Sequence, residues 1–208
     1  HRLIRRQRQM CIRDRRSIGY SFNNAIADII DNSITAEADL IEIKCLWNGE
    51  EPTIEIKDNG KGMSENELIE AMRPGTKSPL SSRSNEDLGR FGLGLKTASF
   101  SQCKKLIVKT FQGKLINEAS WDLDIVQEQN KWFLDLENST ENTNNLETGT
   151  IVRWEKIDTL SKKNKEDAEE TFNSMVSNLG KHIVITFHRY INGDKRKINF
   201  IVNGIKCD

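Results

Sequence analysis

Residues 25–35 read AIADIIDNSIT. At 100° per residue, Ala25, Ile26, Ile29, Ile30 and Ile34 share a broad apolar arc, and Asn24, Asp28, Asp31, Asn32 and Thr35 fall together on the other side. The stretch predicts one amphipathic helix. Asp28 and Asn32 are four residues apart, so they stack one turn above the other and point the same way. A carboxylate and a carboxamide placed like this can hold a water and a metal ion at adjacent points. Taken alone, the pattern reads first as an ordinary helix with a solvated face. What surrounds it in the chain changes that weighting.

Working outward, the 208 residues suit one medium domain, or one domain with the start of another. Apolar residues make up 36% and charged residues 30%, the balance of a soluble globular chain. No apolar run reaches the roughly 18 residues needed to span a bilayer, and no apolar core follows the basic N-terminus as a signal peptide would require. Cys11, Cys45, Cys103 and Cys207 lie far apart without a CxxC pair. That spacing argues against a zinc site or a disulfide framework, and fits a reducing, cytoplasmic setting.

The formal charge of zero hides an asymmetry. Residues 1–16 hold seven arginines and one aspartate, leaving 24 basic and 30 acidic residues elsewhere, a net charge of −6. Such an arm could bind nucleic acid. It also resembles translated read-through of a sequencing adapter, and it is set aside from fold reasoning as a non-native segment. The expected organisation is this segment at 1–16, one domain at 17–160, and the start of a second at 161–208.

Ser21 is placed to cap the first helix, which is expected to run to about Ala38. Leu40–Trp47 and Thr53–Lys57 alternate on either side of Asn48-Gly49 and predict an antiparallel hairpin with one face against that helix. The second strand runs into Asp58-Asn59-Gly60-Lys61-Gly62-Met63. A DNG at a strand end is often only a turn, but here an aspartate at the strand's mouth is followed by glycines that permit close approach of a flat ring. Ser64 and Glu67 form a capping box for a short helix. Arg73–Asp87 is polar and aperiodic, with the length of a lid or binding loop.

Leu88–Ser99 reads LGRFGLGLKTAS: three glycines open a helix, with Lys96 just inside it. Neither the P-loop nor the dinucleotide fingerprint matches, yet bare N–H groups at a helix start plus a lysine suit an anion. A glycine-rich entry made for close packing is an equal alternative. Strands are then expected at Lys104–Phe111, Lys114–Leu123, Lys131–Leu136 and Gly149–Lys156, with Trp121, Trp132 and Trp154 as sheet-face aromatics and Glu137–Glu147 as an exposed loop. Lys162–Tyr190 reads as a long helix, although Ile183–Phe187 would also suit a strand. His182 and His188 are six apart, off a common helical face, and read as packing or surface residues. Lys197–Val202 ends the pattern as a strand before Asn203-Gly204.

Four features occur in order: the Asp28/Asn32 helix, the strand-end Asp58-x-Gly-x-Gly62, the glycine-rich helix start at 89–96, and Gly149-Thr150 before a strand. The combination resembles the GHKL ATPase superfamily of DNA gyrase B, the Hsp-ninety chaperones, histidine kinases and MutL, and is most like its MORC and MutL side and a set of bacterial relatives. The resemblance covers about residues 17–157. It implies an α+β Bergerat-type two-layer sandwich, with a mixed, mostly antiparallel sheet covered on one face by helices and the start of a transducer-like domain behind it. It further implies Mg²⁺ on Asn32, with Asp58 accepting from the adenine amino group. Gly60 and Gly62 would let the base approach and Met63 would pack on it. Thr150 would join the adenine network. Gly89, Gly92, Leu93 and Gly94 would cradle the phosphates, with Lys96 reaching them and residues 73–88 as the ATP lid. Asp28 stands where hydrolysing relatives carry glutamate, one methylene longer, and would be the general base. The implied activity is ATP binding with slow hydrolysis driving dimerisation of a clamp, with an ATP-dependent homodimer and DNA as candidate partners. A histidine kinase catalytic domain and a non-hydrolysing ATP-regulated module are the alternatives.

Overall fold

The computed structural model describes residues 20–49, 51–73, 94–129, 133–139, 147–158, 165–194 and 196–208. The arginine-rich arm, nearly all of the expected lid loop, Gly89, Gly92, Leu93, Trp132 and Cys11 lie outside the described residues.

Helix α1 spans Phe22–Thr35, and Ser21 caps it: its hydroxyl accepts from the Asn24 N–H at 3.2 Å. Strands β1 (Leu40–Leu46) and β2 (Thr53–Asp58) pair antiparallel as their alternation predicts. Helix α2 (Glu65–Met72) carries the expected capping box, with Ser64 and Glu67 each satisfying the other's backbone N–H. Helix α3 (Gly94–Gln102) leads into β3 (Lys105–Gln112) and β4 (Leu115–Asp122). A short helix α4 (Leu123–Gln129) follows where no helical pattern is expected. Strand β5 (Asp135–Ser139) sits later than expected, taking in residues assigned to a loop. All five of its residues are exposed, so no apolar alternation marked it. Strand β6 spans Thr148–Glu155.

The sheet order is β5-β4-β3-β6-β2-β1-β7-β8, where β7 is Asn199–Val202 and β8 Ile205–Lys206. Every pairing is antiparallel except β1 with β7. Ile41, Ile43, Ile54, Ile56, Leu106, Val108, Val152 and Trp154 face one side and are buried with Ala25, Ile26, Ile29 and Ile30 of α1. The opposite face is crossed by ion pairs between neighbouring strands, Arg153–Glu55, Lys105–Glu155 and Lys109–Glu118, around a small cluster of Phe111, Ile116 and Ile151. This is the mixed, mostly antiparallel α+β sandwich expected. Among the described residues no helix is long and apolar enough to cross a membrane.

Of residues 161–208, expected to open a second domain, Asn199–Val202 and Ile205–Lys206 form β7 and β8 at the edge of the same sheet. Helix α5 (Lys165–Ile191) runs through Ile183–Phe187 as helix, with a kink at Phe187. Its Phe172, Leu179, Ile183 and Phe187 join the main core. The Arg196 guanidinium donates to the carbonyls of Ile34 and Ala38 at 3.2 and 2.7 Å, tying this segment to the end of α1. The parallel β1–β7 pairing has no local sequence signature, because parallel partners come from distant segments.

Candidate functional site

The site grows from the point where β2 ends beneath α1. Asp58 is only 5% exposed. Its Oδ1 accepts from the N–H groups of Gly60 (2.9 Å) and Thr150 (3.2 Å), and its Oδ2 accepts from the Ser33 hydroxyl at 2.8 Å. Burial pushes the carboxyl pKa up, and these three donors pull it partly back. Strand register explains the neighbours: Asp58 pairs with Thr150, Thr150 with Thr110, and Thr110 with Asn117. All four are buried and share the helix-facing side. They form a polar row across four strands at one end of an otherwise apolar face.

The loop after β2 is fastened on both sides. The Asn59 side chain accepts from the N–H groups of Asp39 and Leu40 at 3.0 Å and donates to the Asp39 carboxylate at 2.7 Å. The Met63 N–H donates to the Thr110 hydroxyl at 2.6 Å, and that hydroxyl donates to the Gly149 carbonyl at 3.3 Å. A Cβ at Gly60 would lie 2.6 Å from the Ala36 carbonyl oxygen. At Gly62, with φ +66°, a Cβ would lie 2.3 Å from the Phe111 carbonyl oxygen. The side-chain space at both glycines is thus filled by the protein's own backbone, a reason for glycine that is independent of any ligand.

Gly149 is the tightest point. Its φ is +140°, and a Cβ there would sit 2.2 Å from the Asp58 carbonyl oxygen. Alanine must therefore push β6 off β2. We expect Gly149→Ala to destabilise the fold by about 3 kcal/mol. A urea titration with a lowered midpoint and unchanged slope checks this. A midpoint equal to wild type would mean that the two strands can separate at no cost.

On α1, Asp28 is half-buried and Asn32 is exposed one turn further on, so the stacked pair predicted from sequence is present on the polar face. The Tyr20 hydroxyl donates to Asp28 Oδ2 at 2.8 Å. Beside them the Asp31 carboxyl is pushed up to about 6, first by burial and then by the charge of Asp28. Ser33 turns inward to Asp58, so one helix serves both ends of the site. Lys96, expected among phosphate ligands, is 3% exposed, and its ammonium donates to the carbonyls of Ala71 (2.8 Å) and Arg73 (2.5 Å). It sits at the C-terminal end of α2, where carbonyls and helix dipole favour a cation. It also links the two ends of the stretch 74–93. Gly94 is exposed at the start of α3.

Ser33, Thr110 and Tyr20 were not singled out from sequence. Ser33 follows Asn32 directly, but its partner is 25 residues away, and Thr110 meets Met63 only through the sheet. Among the described residues no three His, Cys, Asp or Glu side chains gather as a metal site. A magnesium ion held by Asn32 and phosphate oxygens needs no such cluster, since Mg²⁺ keeps several waters and takes few protein ligands. The exposed carboxamide fits that role.

A buried carboxylate at a strand mouth, under a helix with a polar Asp/Asn face, on a mixed sheet covered on one side, defines a Bergerat-type nucleotide-binding domain. The family described as histidine kinase-, DNA gyrase B-, and HSP90-like ATPase matches residues 20–151, and the chain belongs to it. It is 31% identical over 93 residues to the ATPase morc-1 of Caenorhabditis elegans, covering 45% of this chain and 10% of that protein. It is 32% identical over 96 residues to the DNA mismatch repair protein MutL of Thermosipho melanesiensis, covering 45% of this chain and 17% of that protein. The chain thus matches less than a fifth of either relative's length. ATP binding is the function that family membership supports.

Proposed function

We propose that this domain binds ATP with Mg²⁺ and hydrolyses it slowly, closing a lid and driving dimerisation of a clamp of the MORC and MutL kind. The observation that carries the reading is the double use of α1. Asn32 and Asp28 face outward together, while Ser33, the residue after Asn32, turns inward and is bonded to the buried Asp58. One rigid element thereby sets the distance between an adenine-recognising carboxylate and a metal-and-water wall. Asp58 would accept from the adenine amino group, with Thr150 alongside and Met63 packing on the ring. Asn32 would hold the Mg²⁺, which neutralises phosphate charge when bound. Asp28 would take a proton from water as its oxygen bonds to the γ-phosphorus. The bond from that phosphorus to the β-bridging oxygen then breaks, its electron pair leaving on ADP.

Asn32→Ala removes the carboxamide from an exposed position and should leave the fold intact. We expect the gain in ATP affinity on adding Mg²⁺ to disappear in this variant, while any metal-free affinity stays within about threefold of wild type. Isothermal titration with and without Mg²⁺ reads both. A full Mg²⁺ response in Asn32→Ala would remove Asn32 from the metal site.

The second reading, an ATP-regulated module without hydrolysis, draws on Asp28 itself. It is one methylene shorter than the glutamate the resemblance leads one to expect, so its reach to the water is about 1 Å less.

A further inference from the structure

We propose that Tyr20 is a positioning residue for hydrolysis, its phenol clamping the Asp28 carboxylate so that one oxygen is fixed and the other faces the attacking water. This rests on the reading of Asp28 as the general base. The phenol donates to Oδ2 at 2.8 Å, a charge-assisted contact, and Oδ1 carries no hydrogen bond among the described residues. An aspartate with no such partner would sample several rotamers, and a short base has no spare reach with which to absorb the error. Misplacement by 1 Å can cost about a hundredfold in rate.

Tyr20 is itself held in place. Its carbonyl accepts from the Gln102 side-chain amide at 3.1 Å, and that buried amide also donates to the Ser101 hydroxyl at 2.9 Å. Its ring packs at the edge of the main core. The next residue, Ser21, is the cap of α1. The phenol therefore projects from backbone anchored both to the end of α3 and to the start of the helix that bears Asp28. The same contact favours the protonated phenol: its pKa is raised, first by the hydrogen bond to Asp28, then by burial and by that residue's charge.

Tyr20→Phe keeps the ring and removes only the donor. In the 208-residue chain we expect kcat for ATP to fall about tenfold, while KM and the ATP dissociation constant stay within about twofold. In an Asp28→Ala background the same change should have no further effect. A second readout needs no turnover. The chain has two tyrosines, so in a ring-carbon-labelled sample the resonance missing from Tyr20→Phe is that of Tyr20. Its titration midpoint should drop in Asp28→Ala. An unmoved midpoint would show that the contact is not made, and a moved midpoint with wild-type kcat in Tyr20→Phe would show a structural tie only. Either result overturns the proposal while leaving Asp28 as base. Wild-type turnover in Asp28→Ala, or ATP binding by the wild type with no turnover at all, removes the base and the positioning role with it.

Discussion

Asp58→Asn should abolish measurable ATP binding while barely disturbing the fold. The two N–H groups of Gly60 and Thr150 converge on Oδ1, and an asparagine oxygen can accept both. The Ser33 hydroxyl, which donates to Oδ2, can rotate to accept from the new amide instead. The pocket thus keeps its internal hydrogen bonds. On the proposed reading it would lose the acceptor for the base, because the amide N–H₂ would face the adenine amino group, donor against donor. An unmatched buried polar pair costs about 1–3 kcal/mol, and the bond to the charged acceptor is lost as well. Together these predict at least a hundredfold weaker binding. Isothermal titration measures the affinity, and a thermal melt within a few degrees of wild type shows that the fold survives. Undiminished binding by Asp58→Asn would overturn the adenine assignment, and with it the functional reading of the site.

Asp28→Ala separates the two ends of the same helix. Asp28 lies one turn before Asn32, and its partner is Tyr20 rather than any strand residue. Its removal should leave ATP affinity within about threefold of wild type and reduce turnover by a hundredfold or more, the range expected for a general base. Single-turnover assays with the protein in excess over ATP, at saturating Mg²⁺, test this without interference from product release. Equal turnover in wild type and Asp28→Ala would leave Asp28 as a solvated helix residue, with the proton taken by some other group.

The site's elements were legible in sequence to different depths. The α1 pattern was readable because a period of 3.6 places apolar and polar residues on opposite arcs, and Ser21, Ser64 and Glu67 cap where local chemistry says they should. Strands with one buried face were readable from alternation. Strand β5 was readable only in part, at Asp135 and Leu136, because an edge strand with five exposed residues has no apolar face to mark its bounds. Helix α4 was missed because its seven residues are too few to show a period. From its place after glycines, Lys96 reads as a cation for the phosphates. Only the fold, which brings the start of α3 to the C-terminal end of α2, shows the Ala71 and Arg73 carbonyls accepting from its ammonium.

The sequence by itself determined the helical stacking of Asp28 on Asn32, the aspartate at the mouth of β2, and the glycines that follow it. These are local facts, fixed by spacing along one element. Tertiary structure alone decided that Ser33 and Thr150 would close on Asp58, that Thr110 would pin Met63, and that Tyr20 would reach Asp28. It also decided that Asn199–Val202 would join the same sheet through a parallel β1–β7 pairing. The physical reason is common to all of these. A hydrogen bond between distant segments depends on strand register and on how a helix lies across the sheet, and neither is written in the periodicity of any single stretch.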